Sequence, residues 1–140
     1  MNAIDSSVLV FAMDPTTIEH NRAKEAVISL PGWALNPTVV HEVYHTLVFK
    51  RGMLPKDARE KLRVLVTDER THFFSITKPI SLYSLDLASE FGLGGRDSLI
   101  VACYMRNGVE SILTHDNELL GIGKLRFRGR QIAFTNPITK

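Results

Sequence analysis

Apolar residues along this chain come in short bursts separated by longer stretches of helical period, and that alternation is the first guide to its fold. "NAIDSSVLVFA" opens with a short apolar strand ending near Asp5, after which Ser6 or Ser7 is expected to cap a brief helical turn through Phe11. "TTIEHNRAKEAVISL" reads as a helix closed by Pro31-Gly32. "WALNP" is a short buried strand. Asn36 as N-cap and Pro37 at the first helical position then start a second long helix, which ends in "KRGM" with Gly52 as its terminal glycine. Pro55 starts another, with Ala58, Leu62, Leu65 and Val66 on one face, and "THFFSI" is a strand. Pro79 opens a helix that turns Ile80, Tyr83, Leu87, Ala88 and Phe91 toward the core and stops at Gly92. "RDSLIVACYMRNG" is an apolar helix with a glycine exit, "ESILT" a buried strand and "RQIAF" a final strand.

Short apolar strands alternating with helices predict an α/β fold: an α/β/α sandwich with a mainly parallel central sheet of four to five strands. With no repeat, linker or low-complexity tract, residues 1–140 are expected to form a single domain. In such sheets, ligands collect at the carboxyl ends of the strands.

Composition narrows the class a little further. Hydrophobic residues at 44% and charged residues at 23% are ordinary for a globular protein, and no apolar run approaches membrane-spanning length. The N-terminus lacks the pattern of a signal peptide. The single cysteine, Cys103, lies in an apolar stretch and reads as a core residue of a cytoplasmic protein rather than a nucleophile. A net charge of +2 is too small to imply nucleic-acid binding by itself.

The acidic residues change the picture. Asp5 ends the first strand, and Glu42 lies in the second turn of the helix that follows the second strand. Asp97 lies in the first turn of its helix after Gly94-Gly95, and Asp116 directly follows "ESILT". Four carboxylates from separate segments are therefore expected at one edge of the sheet, where their repulsion must be relieved by protons or a cation. An oxygen-only donor set suits Mg2+ or Mn2+ better than Zn2+.

These segments resemble the PIN domain family, the nuclease fold that includes the VapC toxins of toxin–antitoxin pairs. The matching pieces are "IDSSVLVFA", "NPTVVHEVYHTL", "GLGGRDSLIVACYMRNG" and "ESILTHDNEL", in the family's order and over nearly the whole chain. Glu118 departs from the pattern, since an aspartate is frequent there. The resemblance implies a metal-dependent endoribonuclease that cleaves single-stranded RNA, leaving a 5′-phosphate and a 3′-hydroxyl. Asp5, Asp97 and Asp116 would be the main metal anchors for Mg2+ or Mn2+, and Glu42 would ligate the ion or orient water. Ser7 and Thr114 would support them as water-positioning or second-sphere hydroxyls. The resemblance also implies a homodimer and an antitoxin partner; Phe49, Met53 and Leu54 either offer apolar surface for such contacts or cover the core.

Two other features bear on function. His41-Glu42-Val43-Tyr44-His45 fits the HExxH pattern of zinc peptidases. The metzincin extension needs Gly at position 48 and His at position 51, where the chain has Val48 and Arg51. The two histidines are thus expected to form a partly exposed helix face; the sequence leaves open whether His45, three residues after Glu42, reaches the acidic rim. "GKLRFRGR" places Lys124, Arg126, Arg128 and Arg130 at alternate positions, a phosphate track or a protected sheet edge if the segment is extended. Arg96, opening a helix against its macrodipole, is expected to pair with a carboxylate or to grip RNA phosphate. The alternatives to a toxin are a PIN nuclease in RNA processing and a catalytically silent RNA- or peptide-binding domain.

Overall fold

The computed structural model describes residues 1–138. Strand β1 (Asn2–Ile4) leads into helix α1 (Ser6–Met13), and α2 (His20–Ile28) precedes β2 (Trp33–Leu35). Helix α3 (Pro37–His45) continues as a π-turn over Thr46–Lys50, and α4 (Pro55–Thr67) leads to β3 (Thr71–Phe73). Two successive helices, α5 (Lys78–Phe91) and α6 (Gly95–Arg106), precede β4 (Ser111–Leu113). A short α7 (Asn117–Ile122) and the hairpin β5 (Lys124–Phe127) and β6 (Arg130–Thr135) follow.

The six strands form one sheet in the order β3-β2-β1-β4-β6-β5, parallel throughout except for the antiparallel β5–β6 pair. The expected mainly parallel α/β sandwich is present, with β5 adding a sixth strand. The core is apolar on both faces of the central strands. Trp33, Leu35, Ile112 and Ile132 are buried there, and burying each such side chain is worth about 1.5–3 kcal/mol. Helix α6 runs through this core, with Ile100 to Met105 all buried. Cys103 is among them, its thiol pushed up to about 11 by burial, in keeping with a packing role.

Local chemistry explains where elements start and stop. Asn36 accepts the Val39 N–H at 3.0 Å, and Pro37 occupies the first helical turn, so α3 begins where the sequence places it. Helix α5 begins one residue early, at Lys78, because Thr77 serves as its N-cap, and it stops at Gly92 with φ 68°. Helix α2 starts at His20 rather than at Thr16. Asp14 instead captures the Thr16 N–H and hydroxyl, and Pro15 opens a turn. At the first strand, Asp5 rather than a serine occupies the N-cap position, and α1 runs to Met13, past the brief turn expected. Phe91 is 40% exposed, at the margin of the core rather than inside it, with its ring edge-on to Phe127.

Candidate active site

Strand register sets Asp5 beside a threonine. Ile4 pairs with Leu113 across the parallel β1–β4 ladder, so Asp5 and Thr114 are the next residues at the carboxyl ends of both strands. The Asp5 N–H donates to the Leu113 carbonyl at 2.9 Å, and the fully buried Thr114 hydroxyl donates to Asp5 Oδ2 at 2.8 Å. The hydroxyl of Ser7, the second residue of α1, approaches the same oxygen at 3.4 Å and accepts the His115 N–H at 2.9 Å. Thr114 Oγ1 also accepts the Asp116 N–H at 3.0 Å. Asp116 in turn caps α7, its Oδ1 accepting the Glu118 N–H at 2.8 Å. Two hydroxyls thus hold the ends of β1 and β4 together beneath the acids.

Helix starts supply the rest. The Glu42 carboxylate accepts a short hydrogen bond from the Ser6 hydroxyl through Oε1 and faces Arg96 Nε through Oε2. Arg96 therefore pairs with a carboxylate, one of the two roles expected of it. Asp97 occupies the first turn of α6, where an acid complements the macrodipole. Electrostatic coupling ties the group together. Burial raises the Asp5 pKa to about 6, Thr114 and the Ser6 N–H partly offset this, and Glu42 and Asp97 raise it further. Burial also raises Asp97, with Asp116, Glu42 and Glu118 adding to it and Arg96 opposing. Asp5 and Asp97 are thus both made harder to ionise, by burial first and by neighbouring carboxylates second.

Such a site fits a hard divalent cation by the chemistry of its donors, which are carboxylate and hydroxyl oxygens only. As the side chains stand, no three His, Cys, Asp or Glu side chains among the described residues form a group that could hold a metal. Both oxygens of Glu42 are engaged within the site, by Ser6 and Arg96.

The HExxH histidines do not join the site. His41 lines an apolar groove of about 810 Å3 between α3 and α4 with Val40, Tyr44, Leu62 and Val66. His45 lies against Phe49, their ring centroids 5.0 Å apart. A zinc site needs three protein ligands, and no third ligand accompanies them among the described residues. None of the four acids lines that groove, and it lacks the convergent polar groups that chemistry needs.

The basic segment departs from expectation. Lys124 and Arg126 do share the exposed face of β5 while Leu125 and Phe127 are buried. Arg128 and Gly129, with φ of 50° and 78°, form the hairpin turn, so the alternation ends there. Because β6 runs parallel to β4, that turn lies at the end of the sheet opposite the acids. Arg128 pairs with Asp86 at 2.9 Å, Arg130 donates to the Met105 carbonyl at 3.0 Å, and Arg126 to Gln131 at 2.9 Å. Arg128 and Arg130 therefore do not flank the carboxylates, whereas Lys124, opposite Ala133, is nearer their end. Ser6 is the residue that sequence reasoning left at the helix start instead of in the site. Its signal is position, directly after a strand-end aspartate. Of the apolar residues set aside for contacts, Phe49 and Leu54 are exposed and Met53 half-buried against the core.

A PIN domain model matches residues 3–125, and the chain belongs to that family, a class of nucleases that generally use divalent metals. Among similar solved structures is Mycobacterium tuberculosis VapC20, a sarcin-ricin loop cleaving toxin, with TM-score 0.76 and 14% identity over 88% of this chain and 95% of that one. A toxin–antitoxin complex from Klebsiella pneumoniae aligns with TM-score 0.67 and 19% identity over 98% of both chains. VapBC2 from Rickettsia felis, bound to a promoter DNA fragment, aligns with TM-score 0.67 and 14% identity over 96% and 97%. At these identities the likeness establishes the fold. No curated protein sequence matches the chain significantly. No described helix is long and apolar enough to cross a membrane.

Proposed function

We propose that this PIN domain is a Mg2+- or Mn2+-dependent endoribonuclease that hydrolyses single-stranded RNA, and that it is the toxin of a toxin–antitoxin pair. The observation that carries the chemistry is the coupled set of Asp5, Glu42, Asp97 and Asp116 at the carboxyl edge of a parallel sheet, with Asp5 and Asp97 both held above the usual carboxylate range. Asp5, Asp97 and Asp116, joined by Glu42, would hold the ion. When bound, such an ion lowers the pKa of its water and offsets charge growing on the scissile phosphate.

The chain's own residues supply the rest. Thr114 and Ser7 fix the Asp5 carboxylate against rotation by donating to one of its oxygens. The backbone of the β4–α7 connection is locked to the same hydroxyls, which fixes Asp116 relative to Asp5. Neutral Asp5 would be favoured below its raised pKa of about 6, so the ionised, cation-binding form prevails at neutral pH and above. The toxin role is supported by the likeness to toxin–antitoxin structures, as is an antitoxin partner. A homodimer and a cytoplasmic setting accord with that role.

A second reading is favoured by the engagement of Glu42 with Arg96: the acids dock basic side chains and perform no turnover. Purified protein incubated with single-stranded RNA and Mn2+ separates the two. Cleavage that stops with Asp97→Asn and in chelator supports the nuclease; intact RNA with folded protein, across several sequences, supports the silent domain.

A further inference from the structure

Both oxygens of Glu42 are taken by groups of this chain, Oε1 by the Ser6 hydroxyl and Oε2 by the Arg96 guanidinium. Those two groups are the chain neighbours of Asp5 and Asp97. The helix starts that present two of the acids therefore also present what holds the third. Arg96 sits at the second residue of α6, where a cation opposes the helix macrodipole, so its placement needs a favourable partner. Its side chain is 68% exposed while that of Glu42 is 15% exposed, so the guanidinium covers the acid from the solvent side. A carboxylate oxygen facing a guanidinium is a poor donor to a second cation, because both positive charges would lie close together on the same ligand. As the side chains stand, no three acids among the described residues form a metal-holding group.

We propose that Arg96 is an internal latch that competes with the divalent ion for Glu42, so that full metal binding requires the guanidinium to leave that carboxylate. The inference rests on the metal-dependent reading above. It makes Arg96 a positioning residue that acts through Glu42. The latch keeps the acid cluster neutralised when no ion is present and weakens metal affinity by the strength of the ion pair.

The test measures Mn2+ binding directly, without RNA, by the electron paramagnetic resonance signal of free Mn2+. The proteins are wild type, Arg96→Gln, Glu42→Gln and the double variant, each checked for an intact melting transition. Arg96→Gln is expected to tighten Mn2+ by about two- to fivefold, the upper part of the range that an exposed ion pair gives. With Glu42→Gln already present, Arg96→Gln is expected to bring no further gain. Unchanged or weaker binding by Arg96→Gln overturns the latch. So does an equal gain in the Glu42→Gln background, which would show the guanidinium acting through its general field alone. Absence of saturable Mn2+ binding in all four folded proteins overturns the metal-dependent reading itself, and the latch with it.

Discussion

Replacing Asp5 with asparagine removes a charge that the fold holds out of water. Asp5 is 6% exposed, and burial is the largest cause of its rise from 3.8 to about 6. Two units or a little more, at 1.36 kcal/mol each, amount to about 3 kcal/mol of destabilisation once the group is ionised. The folded pKa lies above the unfolded one, so between roughly pH 4 and pH 6 the native protein binds more protons than the unfolded chain. Stability therefore falls as pH rises through that window and carries the full penalty above it. Asparagine keeps an oxygen for the Thr114 hydroxyl but has no charge to desolvate. Asp5→Asn is expected to be more stable than wild type by about 1–3 kcal/mol at pH 8 and nearly equal near pH 4. Urea unfolding in metal-free buffer at both pH values measures this. A variant that is no more stable at pH 8, or a difference that does not change with pH, would refute the reasoning. Added Mn2+ is expected to narrow or reverse the order, because a ligand that binds the native state stabilises only the protein that binds it.

Other substitutions probe neighbouring contacts. Thr114→Val removes the buried donor to Asp5 and the acceptor for the Asp116 N–H, and should cost about 1–3 kcal/mol in urea unfolding while raising the Asp5 pKa further; a neutral effect would mean those bonds are replaceable. The Tyr104 hydroxyl is buried with no hydrogen-bond partner among the described residues. Tyr104→Phe is thus expected to be neutral or stabilising by up to about 1–2 kcal/mol, and a loss beyond about 1 kcal/mol would reveal a hidden partner such as a buried water. The double variant His41→Ala/His45→Ala should retain metal-dependent RNA cleavage at the wild-type rate, since neither imidazole contacts the acids; loss of activity in a folded variant would restore a role for the HExxH pattern.

The sites of the four acids were legible because each follows a local signal. Asp5 and Asp116 terminate apolar runs, Glu42 follows an Asn-Pro helix start, and Asp97 follows a glycine pair. What the sequence could not convey was which side chain meets which across the fold. Ser6 and Arg96 meet at Glu42 only because α1, α3 and α6 converge, and neither spacing nor propensity encodes that convergence. Turn chemistry hid the other errors. Arg128-Gly129 forms a hairpin turn although an arginine at φ 50° is unusual, which moved two arginines off the predicted face. The turn seeded by Asp14 delayed α2 by four residues relative to its helical pattern.

In the proposed mechanism Asp5, Asp97 and Asp116 converge, with Glu42, on one divalent ion. Anomalous diffraction at the manganese edge from crystals grown with Mn2+ tests it most directly. A peak is expected between the carboxylates of Asp5, Asp97 and Asp116. A peak at His41 and His45 instead, or none in crystals of protein that cleaves RNA, would contradict it.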